Sequence, residues 1–167
     1  MKKIFKTLVA MVISSTIVGM VVASQNTVIG MGTLIAGGDA DNIFFYEMNG
    51  TEPITEFQYG DMVEGAYNCQ SIRMKNEGKV NKSCKFKAKV VDNMCGEAET
   101  INEIDYVYGM PVSSTTQIGD GTCEYLVGLS AGEEVILPLC EFYPEQDVPH
   151  NEDTPVSMSF NLECEDN

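Results

Sequence analysis

Residues 82–91 read Lys82-Ser83-Cys84-Lys85-Phe86-Lys87-Ala88-Lys89-Val90-Val91. Cys84, Phe86, Ala88 and Val90 fall on one side of this stretch, and Lys85, Lys87 and Lys89 on the other. Side chains of a strand alternate with period two, so the stretch predicts a strand with one buried and one wet face. The buried face needs a second apolar surface, and the chain supplies one near its end. There Val156, Met158, Phe160, Leu162 and Cys164 alternate with Ser157, Ser159, Asn161 and Glu163. Burying each large apolar side chain of the set contributes roughly 1.5–3 kcal/mol. Two such strands far apart in the chain imply long-range pairing, as in a sandwich or barrel. Phe160 is expected at the buried centre of the last strand, opposite the face that carries Phe86.

Further strands are read on both sides of this stretch. Residues 27–36 alternate Ile29, Met31, Thr33 and Ile35 with Val28, Gly30, Gly32 and Leu34, and Gly37-Gly38 then reads as a flexible joint. Glycine inside a strand marks close approach of another backbone or a bend. A short strand over residues 42–48, with the aromatic Phe44, Phe45 and Tyr46, ends at the turn signal Asn49-Gly50. Residues 54–59, 67–75, 104–112, 122–129 and 134–142 complete the expected strands, the last with Val135, Leu137 and Leu139 on one face. Pro138 within it points to an edge or a bulge. Residues 92–103 are polar and are expected to hold a short helical turn, and residues 143–154 form an acidic loop. Close strand spacing with glycine turns indicates an all-β sandwich or jelly roll.

The start of the chain carries an export pattern. Lys2, Lys3 and Lys6 precede an uncharged stretch over residues 7–38, most apolar up to Ala23. A basic start, an apolar run and the small-residue site Val21-Val22-Ala23 predict a signal peptide over residues 1–23. The alternative is a retained anchor helix, for which the run is long enough. Residues 24–38 then form an N-terminal segment and residues 39–167 the sandwich domain.

Seven basic residues remain beyond the leader against 25 acidic ones, a net charge near −18. Such a surface repels phosphate backbones, so nucleic acid is not an expected partner. The six cysteines, Cys69, Cys84, Cys95, Cys123, Cys140 and Cys164, all lie in the proposed exported part. An even count in an exported chain predicts disulfides, with the pairing left open among 15 arrangements. Asn49-Gly50-Thr51 and Asn81-Lys82-Ser83 are glycosylation sequons.

No catalytic constellation is present in the pattern. His150 is the single histidine, so the helical His-Glu-x-x-His zinc grip is absent, and nothing marks a nucleophile for a serine triad. Asp39, Asp41 and Glu47, or Glu145, Asp147, Glu152 and Asp153, offer oxygen ligands for calcium, but without EF-hand spacing. No cofactor is expected. A pilin-type helix over residues 7–36 conflicts with the glycines and threonines that follow Ala23.

Four short stretches carry a family resemblance. Ile72-Arg73-Met74-Lys75-Asn76-Glu77-Gly78, leading into the alternating strand, resembles a segment of the TasA/camelysin family of exported fibre proteins. Leu129-Ser130-Ala131-Gly132-Glu133-Glu134-Val135 and the ending Val156-Ser157-Met158-Ser159-Phe160 are similar to its late hairpin region. Met31-Gly32-Thr33-Leu34 resembles a Gly-Thr-Leu run near that family's mature start. Six cysteines and strong acidity depart from the family pattern.

The resemblance implies a jelly-roll subunit of biofilm-matrix fibres or, in a TasA-like archaeal branch, of bundling pili. It implies self-association in which the N-terminal strand of one subunit, here Val28, Ile29, Gly30, Met31, Gly32, Thr33, Leu34 and Ile35, completes the sheet of the next. Contacts with the cell surface or neighbouring filaments would follow. The alternatives are a membrane-tethered monomeric adhesin or ligand-binding sandwich and, in third place, an exported metallopeptidase-like hydrolase.

Overall fold

The computed structural model describes residues 29–101, 103–145 and 156–167. The leader over residues 1–23, Val28 and most of the acidic loop, with His150, Asp147, Glu152 and Asp153, lie outside them. The elements are β1 (Ile29–Gly38), β2 (Ile43–Glu47), β3 (Glu56–Asp61), β4 (Ala66–Asn76), β5 (Lys82–Val91), β6 (Met94–Ile101), β7 (Ile104–Pro111), a 3-10 turn (Val112–Ser114), β8 (Thr116–Gly119), β9 (Thr122–Leu129), β10 (Glu134–Tyr143) and β11 (Val156–Asp166). The fold is all-β, and no α-helix occurs among the described residues.

The strands form one sheet in the order β2-β4-β10-β7-β6-β5-β11-β1-β3, with β9 on the second edge of β5 and β8 beyond β9. Folded on itself, this sheet makes a barrel-like sandwich. β5 joins the two walls, because its start pairs with β11 and its end with β6. The opposite seam is nearly closed by the segment before β3. Ile54 N–H donates to Phe45 C=O at 2.8 Å, and Leu34 N–H donates to Thr55 C=O at 2.8 Å.

The alternation in the two strands first read does place their faces. Cys84, Phe86 and Ala88 are buried on β5, and Val156, Met158, Phe160, Leu162 and Cys164 are buried on β11. These strands are neighbours in one wall, with Cys84 directly opposite Cys164. Phe160 therefore does not face Phe86 across the core. Its ring packs 5.6 Å from Tyr108 of β7, in an edge-to-face arrangement, and 5.8 Å from Phe57 of β3.

The described residues among 92–103 are not helical: most of them form β6. Asp92 and Asn93 both have positive φ, at 44° and 69°, and close a two-residue hairpin between β5 and β6. Their short polar side chains tolerate the left-handed conformation that such a turn needs. β8 is an additional strand, absent from the sequence expectation. Pro138 pairs with Ser71 of β4, while β7 meets β10 only over residues 140–142. One edge of β10 is thus unpaired at the proline, as its missing N–H requires.

The cysteines form three disulfides: Cys69–Cys140 between β4 and β10, Cys84–Cys164 between β5 and β11, and Cys95–Cys123 between β6 and β9. The first two join residues directly opposite in antiparallel register. Disulfides of this kind are typical of extracellular proteins.

Candidate functional site

β1 lies between β11, to which it is parallel, and β3, to which it is antiparallel. The β1–β11 pair is the one parallel pair among the described strands. It runs from Gly30 opposite Val156 to Gly38 opposite Cys164. Gly37 and Gly38, expected as a loose joint, are therefore the paired end of the strand. Gly38 takes φ 67°, and a Cβ there would lie 2.5 Å from the Cys164 carbonyl oxygen, so the position demands glycine. Asp39 N–H donates to that same carbonyl at 2.8 Å. The buried Lys82 ammonium donates to Asp39 C=O at 2.6 Å and to Asp166, tying the end of β1 to the end of β11.

The two faces of β1 differ in burial. On the outer face Ile29 and Ile35 are 43% and 44% exposed, and Met31 is half-buried. The inner face is Gly30, Gly32 and Leu34. The glycines make room for side chains rather than for a backbone. A Cβ on Gly32 would lie 2.2 Å from two atoms of the Phe57 ring, and one on Gly30 would lie 2.7 Å from Met62 Sδ. Phe57 is the cross-strand partner of Gly32, so its ring covers the bare glycine backbone. A register shift between Gly30 and Met31 marks a bulge, which leaves Tyr59 of β3 without a direct partner on β1. On the outer face the Thr33 and Ser157 hydroxyl oxygens lie 3.4 Å apart.

Beneath the first turn of this seat is a polar cluster. Glu141 of β10 is fully buried, and neither of its carboxyl oxygens has a hydrogen-bond partner. A Cβ on Gly30 would lie 3.1 Å from Glu141 Oε2 and 3.0 Å from the Tyr59 ring. The Tyr59 and Tyr106 hydroxyls are likewise buried without partners. Desolvation without compensation favours the neutral acid, and burial pushes the Glu141 carboxyl from 4.5 up to about 8. Burial, then Glu141, holds the Tyr59 hydroxyl well above its usual range. Burial first, then Tyr143 and Glu141, pushes Tyr106 up to about 12. Glu141 was not among the expected site residues. The pattern does contain it: Leu137 and Leu139 continue with period two to Glu141 and Tyr143, all buried.

The remaining expected positions are dispersed. Asn49 and Asn81 are exposed, and Asn81 Oδ1 accepts a hydrogen bond from Ala131 N–H at 3.1 Å. Among the described residues no three carboxylate, histidine or cysteine side chains gather as a metal site, so Asp39, Asp41 and Glu47 do not converge. Comparison with protein-family models, with curated proteins and with solved structures returned no match.

Proposed function

We propose that the chain is the exported structural subunit of an extracellular fibre or bundling pilus, acting in biofilm or cell–cell adhesion. In this reading β1 of one copy takes the seat between β3 and β11 of the next. The observation that carries it is the seat itself. β1 is uncharged, is bound along both edges, and fills a slot between two strands whose backbone groups would be open without it. Head-to-tail insertion is a heterologous contact, which builds open filaments when its rotation does not close. The resemblance to the TasA/camelysin family and the three disulfides support the same reading.

One observation favours a second reading, a monomeric surface adhesin or ligand-binding sandwich: β1 pairs with β11 and β3 of its own chain. Intramolecular seating has the advantage of high effective concentration. A cysteine pair at the Thr33–Ser157 contact separates the two. In Thr33→Cys/Ser157→Cys, strand exchange gives a ladder of covalent multimers on a non-reducing gel of assembled material, collapsing on reduction. Filaments yielding only internally linked monomer would refute exchange. Sheared, unboiled cell-surface material without filaments by electron microscopy would refute the fibre.

A further inference from the structure

We propose that Glu141 is an ionisable gate on β1: its neutral carboxyl allows Gly30 to seat above it, and its carboxylate drives the strand off. The reasoning begins with solvation. A carboxylate enclosed without hydrogen bonds or a counter-ion is costly, whereas the neutral acid is tolerated. The group lies inside the seat of β1, at 3.1 Å from the position a Gly30 Cβ would take. Lifting the first residues of β1 would admit water to it. The ionised form therefore prefers the open state, and by linkage the open state prefers the ionised form.

The surroundings leave this one group to titrate near neutral pH. Tyr59 of β3 and Tyr106 of β7, both with unpartnered hydroxyls, are near enough to interact with it electrostatically. Tyr108, its cross-strand neighbour on β7, donates its hydroxyl to Glu97 at 3.0 Å. Asn68, its neighbour on β4, is an uncharged amide whose Oδ1 accepts from Val63 N–H at 2.8 Å. On β10 itself, Tyr143 stacks on Tyr106 at 6.3 Å. Gly30 and Met62 are uncharged. No lysine, arginine or histidine belongs to this set, and the tyrosines stay neutral far above pH 8.

The sign follows from the raised carboxyl. Burial lifts it from 4.5 in the open chain to about 8 when seated. The seated form is favoured most below the ordinary carboxyl range, loses ground as pH rises toward about 8, and changes no further above it. In the strand-exchange reading, on which only this consequence rests, alkaline conditions would free β1 for a neighbour and mildly acidic conditions would hold it. The seating can be measured on the monomer, so failure of the gate and failure of exchange are separate results.

The experiment is hydrogen exchange of the full exported chain between pH 5 and 9, corrected for intrinsic rates. Opening of β1 should increase by up to about tenfold per pH unit below the seated pKa, while β4 changes less. In Glu141→Gln the β1 protection should be independent of pH. An equal pH response in both proteins, or a flat response in the wild type, would overturn the gate. Infrared spectra of the wild type provide a reading that needs no variant. A protonated-carboxyl band that persists at pH 6 and fades in step with β1 opening supports the proposal. Complete carboxyl ionisation by pH 6 overturns it.

Discussion

β1 and β11 lie side by side, run in the same direction, and are held in opposite ways. β11 buries Val156, Met158, Phe160, Leu162 and Cys164, and is tied to β5 by a disulfide. β1 buries one large side chain, Leu34, next to the bare glycines Gly30 and Gly32, and sits over an unpartnered acid. The contrast extends to the whole sheet. The three disulfides join β4 to β10, β5 to β11 and β6 to β9, and none reaches β1, β2 or β3. Cross-links act mainly by restricting the unfolded chain, and they leave outside strands free to open separately. The disulfides thus staple six strands to one another, and β1 is held in the sheet by pairing and packing alone.

The largest test of this contrast is in the anchored strand. Phe160→Ala removes a ring fully enclosed between Phe57 and Tyr108, and should cost roughly 3–5 kcal/mol in denaturant unfolding. Removing the β5–β11 cross-link in Cys84→Ala/Cys164→Ala should cost about 2–4 kcal/mol. The same unfolding curve would show it, and mass spectrometry of the unreduced wild type should find three bridges and no free thiol.

Gly32→Ala should cost about 1–3 kcal/mol, because its Cβ meets the Phe57 ring and the ring must move. Its effect should be local: hydrogen exchange quickens in β1 and β3 and hardly changes in β5 and β11. Equal quickening everywhere would erase the distinction between the two regions. Asn161→Ala, on the exposed face of β11, should stay within about 0.5 kcal/mol of the wild type. An effect as large as that of Phe160→Ala would show the register of β11 to be reversed.

Much of the fold was legible because strand alternation is a local property. β5 spans the ten residues quoted at the outset, and β9 and β11 begin where the alternation does. β6 was missed because its hairpin turn is Asp92-Asn93 without glycine, and its residues 97–100 are exposed on both sides. The candidate site was half legible. The small-residue face of residues 27–36 was visible, but whether the bare side or the isoleucine side turns inward depends on the neighbours. Phe57 and Met62 fill the space that the glycines leave. Glu141 was in phase with Leu137 and Leu139, and only the habit of treating a charged residue as exposed hid it.

Composition and local pattern alone determined that this chain is β-rich, acidic, cysteine-bearing and built around two alternating strands, because each property is written within a few consecutive residues. Tertiary structure alone decided which cysteines pair, that β1 lies parallel to β11, and that a carboxyl is enclosed beneath Gly30. These depend on register and enclosure between segments as far apart as residues 30 and 141, where the environment of one side chain is supplied by others distant in the chain.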